Sequence, residues 1–135
     1  MKKNTIIYWV STGLIAFMML FSAYNYFVNP QMAAGFKHLG FSDNFRVELA
    51  VAKILGALAL IIPQVPVRVK EWAYAGFGIT FISAAIAHFS SGDPSQVVVM
   101  PLVFLAVLVV SNIYLYKKNK PVVATIKNNF KTSLA

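Results

Sequence analysis

From Ile6 to Val28 the chain runs 23 residues without a charged side chain. In water such a run would have to be covered on every face, and a chain of 135 residues has too little interior for that. As a helix rising 1.5 Å per residue, it spans the roughly 30 Å hydrocarbon core of a bilayer. Backbone polar groups at that depth must be satisfied without water, which leaves helices and closed barrels as the spanning structures. Composition points the same way. The charged fraction is 12%, about half the roughly 25% usual for a soluble domain, and the hydrophobic fraction is 59%.

Further apolar segments follow, so the chain is predicted to be an all-α membrane protein, a four-helix transmembrane bundle embedded in the lipid bilayer. The predicted spans cover about residues 6–28, 46–62, 72–89 and 96–116, within one membrane domain of residues 1–120. Lys2 and Lys3 give the start a signal-peptide look. The run behind them is too long for a typical signal core, and Phe21 is too large for a cleavage site at Phe21-Ser22-Ala23, so it reads as a retained first span. Thr12, Ala16, Ala23 and Tyr26 share one of its faces, where small residues admit a neighbouring helix.

The connections carry local stop and start signals. Asn29 and Pro30 end the first span, and Asn29 can cap a new helix with Pro30 at its first position. Met32, Ala33, Phe36 and Leu39 then recur at helical spacing before Gly40, which predicts a short amphipathic surface helix between spans one and two. Pro63 stops the second span, and Ser90 to Pro94 form a compact polar turn after the third. Residues 121–135 read as a basic cytoplasmic tail, loose apart from the weak helical stripe of Val123, Ile126, Phe130 and Leu134.

Charge gives the orientation. With four spans, nine basic residues fall on the side of the termini: Lys2, Lys3, Arg68, Lys70, Lys117, Lys118, Lys120, Lys127 and Lys131. Only Lys37 and Arg46 fall opposite. Basic loops stay in the cytoplasm, so the expectation is an N-in/C-in protein of the cytoplasmic (inner) membrane. The net charge of +8 is thus a topology signal, and nucleic acid is not expected as a partner. Cysteine is absent, which excludes disulfides, thiol redox chemistry and cysteine-ligated metals within this chain.

The second span carries ionisable residues, Glu48 and Lys53, at a depth where such groups are costly and commonly functional. Side chains tilt toward the N-terminus of their helix, so Lys53 can reach outward toward Glu48, while His88 on the antiparallel third span tilts inward. Glu48, Lys53, His88 and Asp93 are therefore predicted to converge in a polar pocket near the outer surface. Asn25 and Tyr26 reach the same level. The residues Ala52 and Gly56 on one helix, and Gly76, Thr80 and Ala84 on the other, are predicted to allow close packing. Glu48 and Lys53 read equally as an ion pair that fixes packing or as members of a ligand site. His38 reads as polar-face surface. His38 and His88 share a side but lack the further ligands of a haem or metal centre, and no metal is expected. No phosphate loop, HExxH, serine elbow or other catalytic motif is present.

Three stretches, VELAVAKILGALALIIP, VKEWAYAGFG and AAIAHFSSGD, occur in an order that resembles the DoxX-like family of small four-span integral membrane proteins. The resemblance covers roughly Tyr8 to Tyr116 and implies a four-helix membrane bundle. The wider group includes subunits linked to thiosulfate–quinone oxidoreduction, members tied to oxidative-stress complexes, and animal relatives that assist receptor assembly. The expected role is a small subunit or accessory factor of a membrane complex, with a membrane-protein partner or a second copy of itself. Two alternatives stay open. One is a redox subunit whose quinone cofactor is hydrogen-bonded by Lys53 or His88. The other is a small transporter or proton path using Glu48 and His88.

Overall fold

The computed structural model describes residues 2–135, which form five helices joined by short turns, with no strand among the described residues. The helices are α1 (Lys2–Val28), α2 (Pro30–His38), α3 (Asp43–Ile61), α4 (Val67–Ser90) and α5 (Ser95–Leu134). Among the described residues, three stretches are long and apolar enough to cross a membrane: Lys2–Val28, Val67–Ser90 and Ser95–Asn119. The helix α3 has 19 residues, but Asp43, Arg46, Glu48 and Lys53 interrupt its apolar character.

The helix ends follow the local chemistry. The Asn29 side chain accepts from the Gln31 N–H at 3.0 Å and caps α2, with Pro30 in its first turn. Gly40 closes α2 at φ 85°, a left-handed backbone that glycine adopts without strain. Ser42 caps α3 by accepting from the Phe45 N–H at 3.2 Å. Gly92 makes the same kind of turn after α4, at φ 74°. The helix α5 does not end at the lysines that follow Tyr116; it continues to Leu134, where a loose tail was expected.

The long helices pack in a ring, α1 on α3, α3 on α4, α4 on α5 and α5 on α1, while α2 lies against α1 and α3. The buried stripe of α3 is Ala50, Lys53, Ala57 and Leu60, and that of α4 is Lys70, Tyr74, Phe77, Phe81 and Ala85. Both stripes step by three or four residues, as one helical face must.

The end of the ring nearest the termini is solid. Tyr8, Ile15, Leu60, Tyr74, Phe77 and Leu115 form its core. Thr12 and Ser111 share a buried hydrogen bond of 2.6 Å, and Tyr74 joins the same Ser111 oxygen at 2.6 Å, so α1, α4 and α5 are pinned together. The Lys70 ammonium is buried and donates to the Leu60 carbonyl at 3.0 Å, which satisfies an acceptor in the last turn of α3. The Tyr116 hydroxyl donates to the Glu71 carboxylate. The other end, where α2 lies, is built differently.

Candidate functional site

Between the helices at the α2 end is a cavity of about 620 Å³. All five helices contribute walls. Phe81 and Phe104 stack at 6.0 Å between ring centres in one wall. The buried Phe36 of α2 meets Tyr26 edge-on at 4.8 Å, and Phe41 stacks on Phe45 at 4.9 Å. The lining reaches the protein surface through exposed His38, Phe41 and Phe45. Met18, Met19, Met32 and Met100 also line the space. These are all the methionines of the chain except Met1. Unbranched thioether side chains adapt to irregular shapes, so this wall can fit guests of varied outline.

Lys53 enters the cavity from α3 and is only 5% exposed. Its ammonium donates to the Ser22 hydroxyl at 2.9 Å and to the Tyr26 hydroxyl at 2.6 Å. It also lies 4.0 Å from the centre of the Tyr26 ring, a cation–π contact. Ser22 and Tyr26 are four residues apart and so share one face of α1. No aspartate or glutamate lines the cavity.

The expected partner of Lys53 lies elsewhere. Glu48 is exposed and, among the described residues, takes part in no ion pair. The reason is angular. Five residues are about 140° around a helix, and Lys53 belongs to the stripe that turns Ala50 and Ala57 inward. Asn25, expected at the same level, spends its amide on its own helix, donating to the Phe21 carbonyl at 2.8 Å.

His88 lines the cavity from α4, and its Nδ1 donates to Asp93 Oδ2 at 2.6 Å. His38 of α2 donates from Nε2 to the other oxygen, Oδ1, at 2.9 Å. One carboxylate in the α4–α5 turn therefore ties α2 to the end of α4. The two imidazole hydrogen bonds, that of His88 first, hold the Asp93 carboxyl below the usual carboxylate range. Both oxygens of Asp93 are already taken, and no group of side chains among the described residues has the arrangement of a metal site.

The small residues fall in distinct places. Thr80 and Ala84 line the cavity on the same face as His88. Gly56 faces Phe77 closely enough that a methyl group there would come within 2.6 Å of the ring. Ala52 and Gly76 are exposed, and no atom comes within 4 Å of where a Gly76 side chain would start.

The profile of the DoxX-like family matches residues 10–111, most of the chain. The chain belongs to the DoxX-like family. No curated protein and no solved structure matches it. In this DoxX-like protein the matched segment contains Lys53, His88, Asp93 and every residue that lines the cavity. Sequence reading missed Ser22, the methionines and the tie from His38 to Asp93. The four-residue spacing of Ser22 and Tyr26 was a visible signal, since it places two hydroxyls on one face of an apolar span.

Proposed function

We propose that this DoxX-like protein is a four-span protein of the cytoplasmic membrane, with both termini in the cytoplasm, and that it serves as a small subunit or accessory factor holding an amphipathic small molecule in its cavity. The observation that carries the reading is the contrast between the ends of the helix ring. One end is filled by side chains and hydrogen bonds. The other holds about 620 Å³ of largely apolar space with Lys53 and His88 at its walls. Ligand sites commonly have this form, a pocket of about 300–1,000 Å³ with few polar groups.

In this proposal α3 is the fourth span. Its 19 residues reach about 28 Å at the helical rise. Asp43, Arg46 and Glu48 fall in its first two turns, where a boundary position suits them, and Lys53 is turned away from lipid. The positive-inside rule then places the nine basic residues of the terminal side in the cytoplasm. The cavity opens on the outer side, and Glu48 sits at its outer boundary rather than in the pocket.

Protein purified from its own membranes in a mild detergent should carry a bound small molecule in native mass spectrometry. Ala84→Trp, which fills the cavity, should release it. Equal retention by this variant would remove the reading. A second reading rests on Lys53 and His88 facing one space from adjacent helices, an arrangement that suits the separated oxygens of a quinone ring. A quinone in the released fraction would make the protein a quinone-linked redox subunit. Transport has less support, because the terminal end of the ring is filled by Tyr8, Tyr74 and Leu115.

A further inference from the structure

We propose that the molecule held in the cavity is a single-chain amphiphile with an anionic head, bound with that head on Lys53 and its chain along the methionine walls. The inference rests on the cavity being a ligand site and adds the chemical class of the ligand. Lys53 is a buried cation whose protein partners are both neutral hydroxyls, Ser22 and Tyr26. Burying a charge without a counter-charge is expensive in an apolar surrounding. Neither the cavity lining nor the partners of Lys53 include a carboxylate.

An ammonium has three N–H donors. Among the described residues two are used, and the third has no protein acceptor. A carboxylate or phosphate monoester would take it and would also receive the hydroxyl protons beside it. Charge-assisted hydrogen bonds of this kind are about twice as strong as neutral ones.

Position supports a chain rather than a compact anion. Lys53 is ten residues into α3, about 15 Å from its first residue at the helical rise. Between that level and exposed Phe41 and Phe45 the lining is apolar, apart from the hydroxyls of α4 and the histidines at the rim. A small hydrophilic anion would strip its water and gain no contact along that length. An acyl chain fills it and leaves only its head at depth.

The test uses the full chain in neutral-detergent micelles and reads equilibrium binding of oleate, lysophosphatidate, oleyl alcohol and a short-tailed quinone. At least one of the anionic probes should bind about tenfold or more tightly than oleyl alcohol. Oleate alone would identify a free fatty acid, and lysophosphatidate a phospholipid head. Lys53→Met should erase the preference while binding of the alcohol remains, and Lys53→Arg should keep it. The comparison among probes on the unaltered protein stands even if Lys53→Met fails to fold. Alcohol or quinone binding as tightly as both anions would overturn the anionic head and leave the cavity as a ligand site. Binding of no probe would overturn both.

Discussion

The tight contact of Gly56 on α3 with Phe77 on α4 is a place where the packing can be broken. A methyl group added at Gly56 would lie 2.6 Å from Phe77 Cζ, 3.0 Å from Cε1 and 3.3 Å from Cε2. Carbon atoms rest about 3.5–4.0 Å apart, so the ring must retreat by roughly 1 Å. Phe77 is buried in the core with Ala57, Tyr74 and Phe81, and it has little room to move. Overpacking of this kind costs about 1–3 kcal/mol. Alanine also returns up to about 1 kcal/mol of helix propensity relative to glycine, which would mask part of the loss. Gly76 supplies the correction. It is also inside a helix, and a methyl group there meets nothing within 4 Å. Gly76→Ala therefore reports propensity alone, and Gly56→Ala should be less stable than it by about 1–3 kcal/mol. Unfolding in mixed micelles, followed by circular dichroism, measures both. In a Phe77→Leu background the penalty of Gly56→Ala should shrink, because the colliding ring atoms are gone. Equal stability of the two alanine variants, or a penalty unchanged by Phe77→Leu, would refute the close-packing argument.

Other consequences can be measured separately. Lys70→Met removes the donor to the Leu60 carbonyl and should cost about 1–3 kcal/mol in the same unfolding assay. Ser111→Ala removes the shared partner of Thr12 and Tyr74 and should destabilise by a similar amount, about 1–3 kcal/mol, whereas Thr132→Ala in the exposed last turn of α5 should not. Asp93 has a folded-state pKa below its unfolded value of about 3.9. Its contribution to stability is therefore present above that pH and lost as pH falls through the folded value. Asp93→Asn should flatten this acid limb of a stability-against-pH curve. The lack of cysteine makes topology easy to read. In intact cells a membrane-impermeant thiol reagent should label Ser95→Cys and leave Ser133→Cys untouched, and the reverse pattern would invert the proposed orientation.

Much of the fold was legible because its signals are local. The apolar run before Asn29, the cap and proline that follow, and the glycine at position 40 each act within a few residues of chain. The structure accordingly contains a short helix over Pro30–His38. The site was less legible because its contacts depend on how helices are rotated. Glu48 and Lys53 are neighbours in sequence, yet the stripe of Ala50, Ala57 and Leu60 turns Lys53 toward Ser22 and Tyr26 on α1. His38 is exposed, as a polar-face residue should be, but its partner Asp93 lies 55 residues further along the chain. The length of α5 was hidden for another reason. Lysines mark the edge of a membrane, but lysine is also a good helix former, so charge can end a span without ending a helix.

The hydrogen-bonded closure of one end of the ring has a consequence for traffic. Tyr74, Ser111 and Thr12 tie the filled end of the ring together, while the lining of the proposed ligand cavity reaches the surface at Phe41 and Phe45 on the other end. On the proposed reading, a guest that enters past Phe41 and Phe45 would return to the leaflet it came from. Such a protein would withdraw a guest from one leaflet, shelter it or present it to a neighbour. To carry the guest across, it would first have to break the hydrogen bonds of Thr12, Tyr74 and Ser111.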